Sequence, residues 1–139
     1  MAANPRRKAR VAALQALYES DLSSHETLAA LERLCEEEHL TDAQAAFARE
    51  LVTGVLEQRD SIDDVIRQAA PQWPVEQLSA IDRNILRLAI REILMNNEAP
   101  IRAAINEAVE LAKSFGSDNS AKFINGVLGS VSLSLAPSS

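Results

Sequence analysis

Apolar residues recur every three or four positions along most of the chain, a spacing typical of helices that bury one face. In the first such segment, over about residues 6–20, one side carries Val11, Leu14, Leu17 and Tyr18. No segment shows the strict alternation of a half-buried strand. The pattern therefore predicts an all-α fold of about seven short helices, packed as two small bundles.

Four predicted helices begin at a Ser or Thr that precedes an acidic residue or Gln by three positions, which is the spacing of a capping box. Pro100 suits the first turn of the sixth helix, and Asp118 or Asn119 suits the cap of the seventh. Gly116 is predicted to end the sixth helix in the left-handed conformation. The four capping pairs are Ser23–Glu26, Thr41–Gln44, Ser61–Asp64 and Ser79–Asp82.

Pro71 and Pro74 enclose Trp73 and end the fourth predicted helix, because proline disfavours helix at the residue before it. We take this segment as the joint between two helical halves of a single domain. The chain is also expected to end in a short frayed tail. The ranges of the domain, its two halves and the tail are 1–139, about 5–70 and 75–135, and 136–139.

The fifth predicted helix, SAIDRNILRLAIREILM, is apolar around most of its circumference. Arg83, Arg87 and Arg91 follow one another at intervals of four and form one charged stripe. A helix of this kind lies in the middle of a fold, and we expect only the stripe to reach water. The stripe either forms internal ion pairs or contacts a partner, and internal pairing is the favoured interpretation.

Composition narrows the class of protein. The chain has 139 residues, of which 47% are hydrophobic, and this suits one helical domain with a substantial core. Cys35 is the only cysteine, so we expect a reducing, cytoplasmic setting. No apolar run approaches the ~20 residues that span a bilayer, and no secretory leader is evident, so we expect a soluble protein.

The net charge of −6 is unevenly distributed. The first 18 residues hold four basic residues and no acidic one, whereas the remainder carries a balance of −10. Such a chain offers a basic surface to an anion and a larger acidic surface to a basic partner. On charge alone, a merely solvated amino-terminal arm is an equal alternative.

The sequence lacks the common motifs of catalysis. Its four glycines form no phosphate-binding loop, and no nucleophile elbow is present. Cys35 and His39 share a helix face, but two such ligands do not make a zinc site, and we interpret Cys35 as a small core residue. We therefore predict a protein that is not an enzyme, with no catalytic residues, no metal ion and no cofactor.

Arginine and aromatic residues give the sequence its two candidate binding regions. Arg6 and Arg10 share a face of the first helix with Arg7 beside them, and guanidinium groups suit the oxygens of a phosphate backbone. Simple solvation of these arginines is the alternative interpretation. In the last helix, Lys122 and Phe123 are the residues of interest.

The Phe123 ring lies about 100° around the last helix from the apolar stripe of Ile124, Leu128 and Val131. A ring outside the core, beside Lys122 and a helix start, suits the stacking of an unpaired base next to a phosphate. The alternative is that Phe123 packs against a neighbouring helix at the edge of the core. We expect the ring and the amino-terminal arginines to share one surface.

Four segments, in order along the chain, together resemble the NusB family of transcription antitermination proteins. The resemblance covers nearly the whole chain and implies an all-helical factor that is not an enzyme. Members of the family bind the boxA element of nascent RNA together with NusE, a protein of the small ribosomal subunit. The pair supports ribosomal RNA transcription within the RNA polymerase antitermination complex. The segments are RRKARVAALQALY, FARELVTGVLEQRDSIDDVI, DRNILRLAIREIL and INEAVELAKSFGSDNSAKFINGVL.

The resemblance also implies roles for individual residues. Asp82 falls at an acidic position that contacts NusE, and Glu76 is a weaker candidate for the same contact. Asn119 is carried over to that contact as well, although it lacks the charge of an Asp. The implied RNA-binding residues are Arg6, Arg7, Arg10, Gln15, Tyr18, Lys122 and Phe123.

Two other functions are compatible with such a fold. The chain also resembles the amino-terminal RNA-binding domain of certain ribosomal RNA cytosine methyltransferases. Those enzymes add a long α/β domain with a cofactor loop and a cysteine nucleophile, so this interpretation requires a longer gene product. A structural protein that binds the ribosomal protein without RNA is the third possibility. Monomer and homodimer both stay open.

Overall fold

The computed structural model describes residues 5–22, 26–95 and 100–135. Within these ranges the chain forms seven α-helices and one 3₁₀ turn, with no β-strand, which confirms the predicted all-α fold. None of the described helices is long and apolar enough to cross a bilayer. The helices are α1 (Arg7–Leu22), α2 (Thr27–Glu37), α3 (Asp42–Glu57), α4 (Arg59–Ala69), α5 (Ala80–Met95), α6 (Ile101–Phe115) and α7 (Ser120–Leu135), and the 3₁₀ turn is Val75–Gln77.

Helix α5 lies at the centre of the bundle. It packs against α1, α3, α4, α6 and α7, and its Ile85, Leu86 and Ile90 are fully buried. Burying each such side chain stabilises the fold by about 1.5–3 kcal/mol. The described core is continuous from α1 to α7, so α5 joins the early helices to the α6–α7 hairpin.

Helix α1 runs antiparallel to α5. At one end Arg10 contacts Glu92, and at the other Asp21 accepts a hydrogen bond from the Asn84 amide at 2.8 Å. The start of α1 therefore lies beside the end of α5. This arrangement fixes where the arginine-rich segment sits along the molecule.

The arginine stripe of α5 is mostly internal. Arg87 is buried and donates two hydrogen bonds of 2.9 Å to Asp63 of α4, while Arg83 pairs with Asp21 at 3.1 Å. Internal pairing is therefore confirmed for these two arginines, and the expectation that the whole stripe reaches water is wrong for Arg87. The carboxylates offset the desolvation of the guanidinium groups, and they tie α1 and α4 to α5.

Arg91, the third member of the stripe, passes over α3 at a glycine. Its Nη1 donates to the Gln58 amide oxygen at 3.1 Å. A Cβ built on Gly54 would come within 1.8 Å of Arg91 Nε. Gly54 therefore makes room for the arginine, and an alanine there would displace it.

The predicted helix starts are partly confirmed. Thr41 and Gln44 form a reciprocal capping box, and Ser79 Oγ accepts from the Asp82 N–H at 3.1 Å. Ser61 is wrong as a cap, because α4 already begins at Arg59 and Ser61 lies inside it. Ser23 lies outside the described residues, and Glu26 itself accepts from the Ala29 N–H ahead of α2.

The ends of the last two helices also test the predictions made from the sequence. Pro100 is the N-cap residue of α6 and lies one residue before the first turn that was predicted to contain it. The Asn119 carbonyl accepts the Phe123 N–H at 3.1 Å as α7 begins, which agrees with the predicted start of the seventh helix. Gly116 is wrong as a left-handed residue, because its backbone is extended. Among the described residues the positive φ belongs to His39, after α2. The predicted frayed tail, 136–139, lies outside the described residues.

Candidate nucleic-acid interface

The start of α1 presents two of its three arginines to solvent. Arg6 and Arg7 are exposed, and the Arg6 guanidinium carbon lies 4.5 Å from the centroid of the Phe47 ring in α3. The Arg10 guanidinium lies 5.4 Å from the same ring, so Arg6 and Arg10 share a face as predicted. This cation–π contact orients the Arg6 side chain.

Arg10 is buried, and the expectation that it reaches solvent with Arg6 is wrong. Its Nε donates to Glu92 Oε1 at 2.8 Å and its Nη2 to Glu92 Oε2 at 2.5 Å, and the Glu92 side chain is only 4% exposed. Its Nη1 also approaches Glu107 Oε1 at 3.5 Å. Arg10 therefore holds α1 against α5 and α6, and its guanidinium has no donor directed to solvent that a phosphate can reach.

Arg7 makes a two-bond contact at the surface. Its Nε and Nη2 donate to the two oxygens of Glu107 in α6, at 3.2 and 2.9 Å. The hydrogen bond from Arg7 is the main cause that lowers the pKa of Glu107, and the same bond raises the pKa of Arg7. A phosphate group offers a guanidinium a similar pair of oxygens.

One side of α1 carries, in order along the helix, Arg7, Val11, Gln15 and Tyr18. All of these except Arg7 are partly buried. A groove of about 180 Å³ opens along this side of the helix, which we call the α1 groove. Lys8 closes one wall by donating from Nζ to the Glu38 carbonyl at 3.2 Å. The α1 groove is lined by Arg7, Lys8, Val11, Ala12, Gln15 and Glu38.

The second region is the first turn of α7. Ile124, Leu128 and Val131 are fully buried while Lys122 is exposed, so the predicted core stripe is confirmed. Phe123 lies between these extremes, because it is partly buried and packs against the core. The expectation of a ring wholly outside the core is therefore wrong.

Trp73 is the feature of this region that the sequence did not assign to the site. Its ring packs edge to face against Phe123, with centroids 5.9 Å apart and an interplanar angle of 78°. The Trp73 side chain stays 51% exposed in the segment between α4 and the 3₁₀ turn. The position of Trp73 between two prolines indicates only a joint between two helical halves. Nothing in the local sequence predicts its contact with Phe123.

The two regions lie towards opposite ends of α5. The arginines sit beside Glu92, whereas Trp73 sits beside the 3₁₀ turn, where Arg83 donates to the Val75 and Leu78 carbonyls. Residues 83 to 92 of α5 cover about 14 Å. A ligand that contacts both regions is therefore extended, and a single nucleotide is too short.

The residues assigned to a protein partner are at the Trp73 end. Glu76 is exposed and pairs with Arg67 at 2.9 Å, and its pKa is lowered first by its own backbone N–H and then by Arg67. Asp82 lies in the first turn of α5 and Asn119 is exposed before α7. Asp82 Oδ1 is buried without a hydrogen-bond partner among the described residues, which leaves this acceptor unsatisfied.

Cys35 is buried in α2, as predicted for a core residue, and burial is the main cause that raises the pKa of its thiol. The residues that the structure describes contain no group of three or more His, Cys, Asp or Glu arranged to hold a metal ion.

The fold is that of known antitermination factors. The structure of T. maritima NusB superposes with a TM-score of 0.88 at 35% identity, covering 98% of this chain and 96% of that one. The chain belongs to the NusB family, whose model matches residues 7–132. The transcription antitermination protein NusB of Dehalococcoides mccartyi is 57% identical over 131 residues, which are 94% of this chain and 92% of the relative. The Chloroflexus aggregans protein of the same name is 48% identical over 93% of this chain and 87% of the relative.

Proposed function

We propose that this protein is a transcription antitermination factor that binds boxA-type RNA together with NusE and supports ribosomal RNA transcription. Membership of the NusB family supports the role in transcription antitermination. The exposed Arg7, with both donors already arranged around two carboxylate oxygens, is the observation that carries the RNA-binding part. A bound phosphate takes the place of Glu107 on Arg7.

The α1 end of the interface binds the RNA backbone. Arg6, Arg7 and Lys8 supply the charge, and the α1 groove between Arg7 and Gln15 gives a sugar or base an apolar floor. Three phosphate contacts give a slope of log affinity against log salt of about −2 for a single strand. Binding by this protein alone is accordingly weak at physiological salt.

The α7 end of the interface contacts a base. The partly exposed Phe123 ring stacks the base, and the neighbouring Lys122 contacts a phosphate. Because the two ends are separated along α5, one RNA strand of several nucleotides crosses between them. The RNA is therefore bound in an extended, single-stranded form, in which bases are free to stack on side chains.

NusE contacts the acidic residues near the start of α5. Its recruitment follows from charge, since a basic ribosomal protein meets a chain whose acidic balance outside the first 18 residues is −10. Asp82, which is partly buried in the first turn of α5, adds its negative charge to this surface. Glu76 is already paired with Arg67, so we assign it a smaller share of the contact.

A gel shift with boxA-type RNA, with and without NusE, tests this function. We expect a weak complex with this protein alone and a much tighter one when NusE is added. A scrambled RNA of the same length is the control for non-specific charge. Absence of any shift with both proteins present contradicts the proposal, and NusE binding without RNA supports the purely structural alternative.

A further inference from the structure

We propose that Trp73 is a second base-stacking residue for single-stranded RNA, so that Trp73 and Phe123 together form a two-ring site. This inference rests on the proposed RNA-binding function and extends it to a residue of the α4–α5 connection. Three features carry it: the exposure of the indole, the rigidity of its backbone and its perpendicular contact with Phe123.

The indole is unusually exposed for a ring at the edge of a core. Trp73 is 51% exposed, whereas the next described residue but one, Val75, is only 1% exposed. Tryptophan is costly to leave in water because of its large apolar surface, and it is enriched at binding interfaces. The exposed indole is therefore available to a ligand.

The backbone around Trp73 is held in one conformation. Its N–H donates to the Ala70 carbonyl at 3.0 Å, and Pro74 behind it has a ring-fixed φ of −57° and accepts the Gln77 N–H at 2.9 Å. Buried Val75 fastens the next residue to the core. A ring mounted in this way loses little entropy when a base stacks on it, which favours binding.

The perpendicular arrangement of the two rings suits the stacking of a base. In an edge-to-face pair at 78° and 5.9 Å, one ring contributes an edge and the other a face, so the rings enclose a corner. A nucleobase in that corner stacks on the face of one ring, and its edge contacts the face of the other. Every base has a π-face, so the site accepts an unpaired strand without strict sequence preference.

The exposed Lys122 favours RNA as the occupant of the two-ring site. Lys122 is exposed and next in the chain to Phe123, and it supplies a positive charge for the phosphate that follows a stacked base. The nearest carboxylate in the chain, Glu76, is paired with Arg67 at 2.9 Å. Arg67 also pairs with Asp64, so it offsets the charge of Glu76 only in part, and Lys122 is the group that attracts a phosphate here.

Intrinsic fluorescence of the full-length protein tests the proposal directly, because Trp73 is the only tryptophan. Titration with boxA-type RNA is expected to quench the emission as a base stacks on the indole. The affinity is measured separately for Trp73→Ala, Trp73→Phe, Phe123→Ala and the control Leu133→Ala. Leu133 is a surface residue of α7 that is 81% exposed, and its truncation is not expected to change RNA binding.

We expect Trp73→Ala to weaken RNA binding about 5- to 100-fold, Trp73→Phe to retain most of the affinity, and Leu133→Ala to bind as the wild type does. Circular dichroism establishes that each variant is folded. If Trp73→Ala is unstable, the wild-type quenching and Trp73→Phe still decide the question, and unquenched emission at saturating RNA overturns the proposal.

The remaining outcomes separate this proposal from the function on which it rests. Normal RNA affinity of Trp73→Ala together with a loss in Phe123→Ala overturns the role of Trp73 and leaves the RNA-binding function intact. If Trp73→Ala reduces only the gain in RNA affinity that NusE provides, the indole belongs to the contact with NusE, and the proposal is also overturned. Failure of the wild type to bind RNA, with or without NusE, overturns the proposed function itself.

Discussion

Replacing Arg10 with alanine is expected to destabilise the fold strongly while leaving the RNA-binding surface in place. The side chains of Arg10 and Glu92 are 7% and 4% exposed, and two hydrogen bonds of 2.8 and 2.5 Å join them. The substitution leaves the Glu92 carboxylate buried without its guanidinium. Removing one partner of a buried ion pair costs about 3–5 kcal/mol.

For a chain of this size, that loss lowers the melting temperature by about 10–15 °C. Chemical denaturation followed by circular dichroism measures it, and we expect a lower midpoint with an unchanged slope. The double variant Arg10→Met, Glu92→Leu removes both charges together. It is expected to recover much of the stability, because apolar side chains of similar volume replace a buried pair well.

RNA binding by Arg10→Ala is measured under conditions where the variant is folded. Because the guanidinium does not reach solvent, we expect the salt dependence of binding to match that of the wild type. A variant that is as stable as the wild type and has lost RNA affinity would refute the reasoning, since it would make Arg10 a surface residue.

Three further predictions concern other parts of the structure. Arg6→Gln with Arg7→Gln is expected to make the salt slope of RNA binding shallower by about 1.4, with a small loss of stability because the Arg7–Glu107 ion pair is lost, and an unchanged slope removes both residues from the interface. Glu107→Gln tests the lowered pKa of Glu107. The ionised carboxylate stabilises the fold above its usual pKa of 4.5, and this contribution is lost as the pH falls through the lower pKa of the folded state. The difference in stability between wild type and variant should therefore shrink on acidification. Gly54→Ala should stabilise the helix by about 0.5–1 kcal/mol only in an Arg91→Ala background, because the Arg91 side chain occupies the space beside Gly54 in the wild type. Equal effects of Gly54→Ala in both backgrounds contradict this packing.

Much of the fold follows from local patterns in the sequence. The capping box of Thr41 and Gln44, the central apolar helix α5 and the buried stripe from Ile124 to Val131 all depend on residues within one or two turns of each other. Ser61 failed as a cap because the same spacing also occurs inside helices, and α4 had already begun.

The candidate site was harder to predict, because its geometry depends on distant partners. Arg10 looks like its neighbour Arg6 in the sequence, but it is buried against distant residues, among them Glu92, 82 positions later. Likewise, Trp73 and Phe123 meet through the packing of α4 and α7. Periodicity identifies which side of a helix is polar, but the charge of a side chain does not reveal whether it is exposed or paired.

Titration of one boxA-type RNA against the wild type, Arg7→Gln and Phe123→Ala tests the central claim most directly. The account predicts a one-to-one complex that each substitution weakens, because a single strand contacts both ends of α5. A strand shortened to reach only the α1 groove should depend on Arg7 and no longer on Phe123. If either variant binds the full-length RNA as tightly as the wild type does, the two regions do not form one interface.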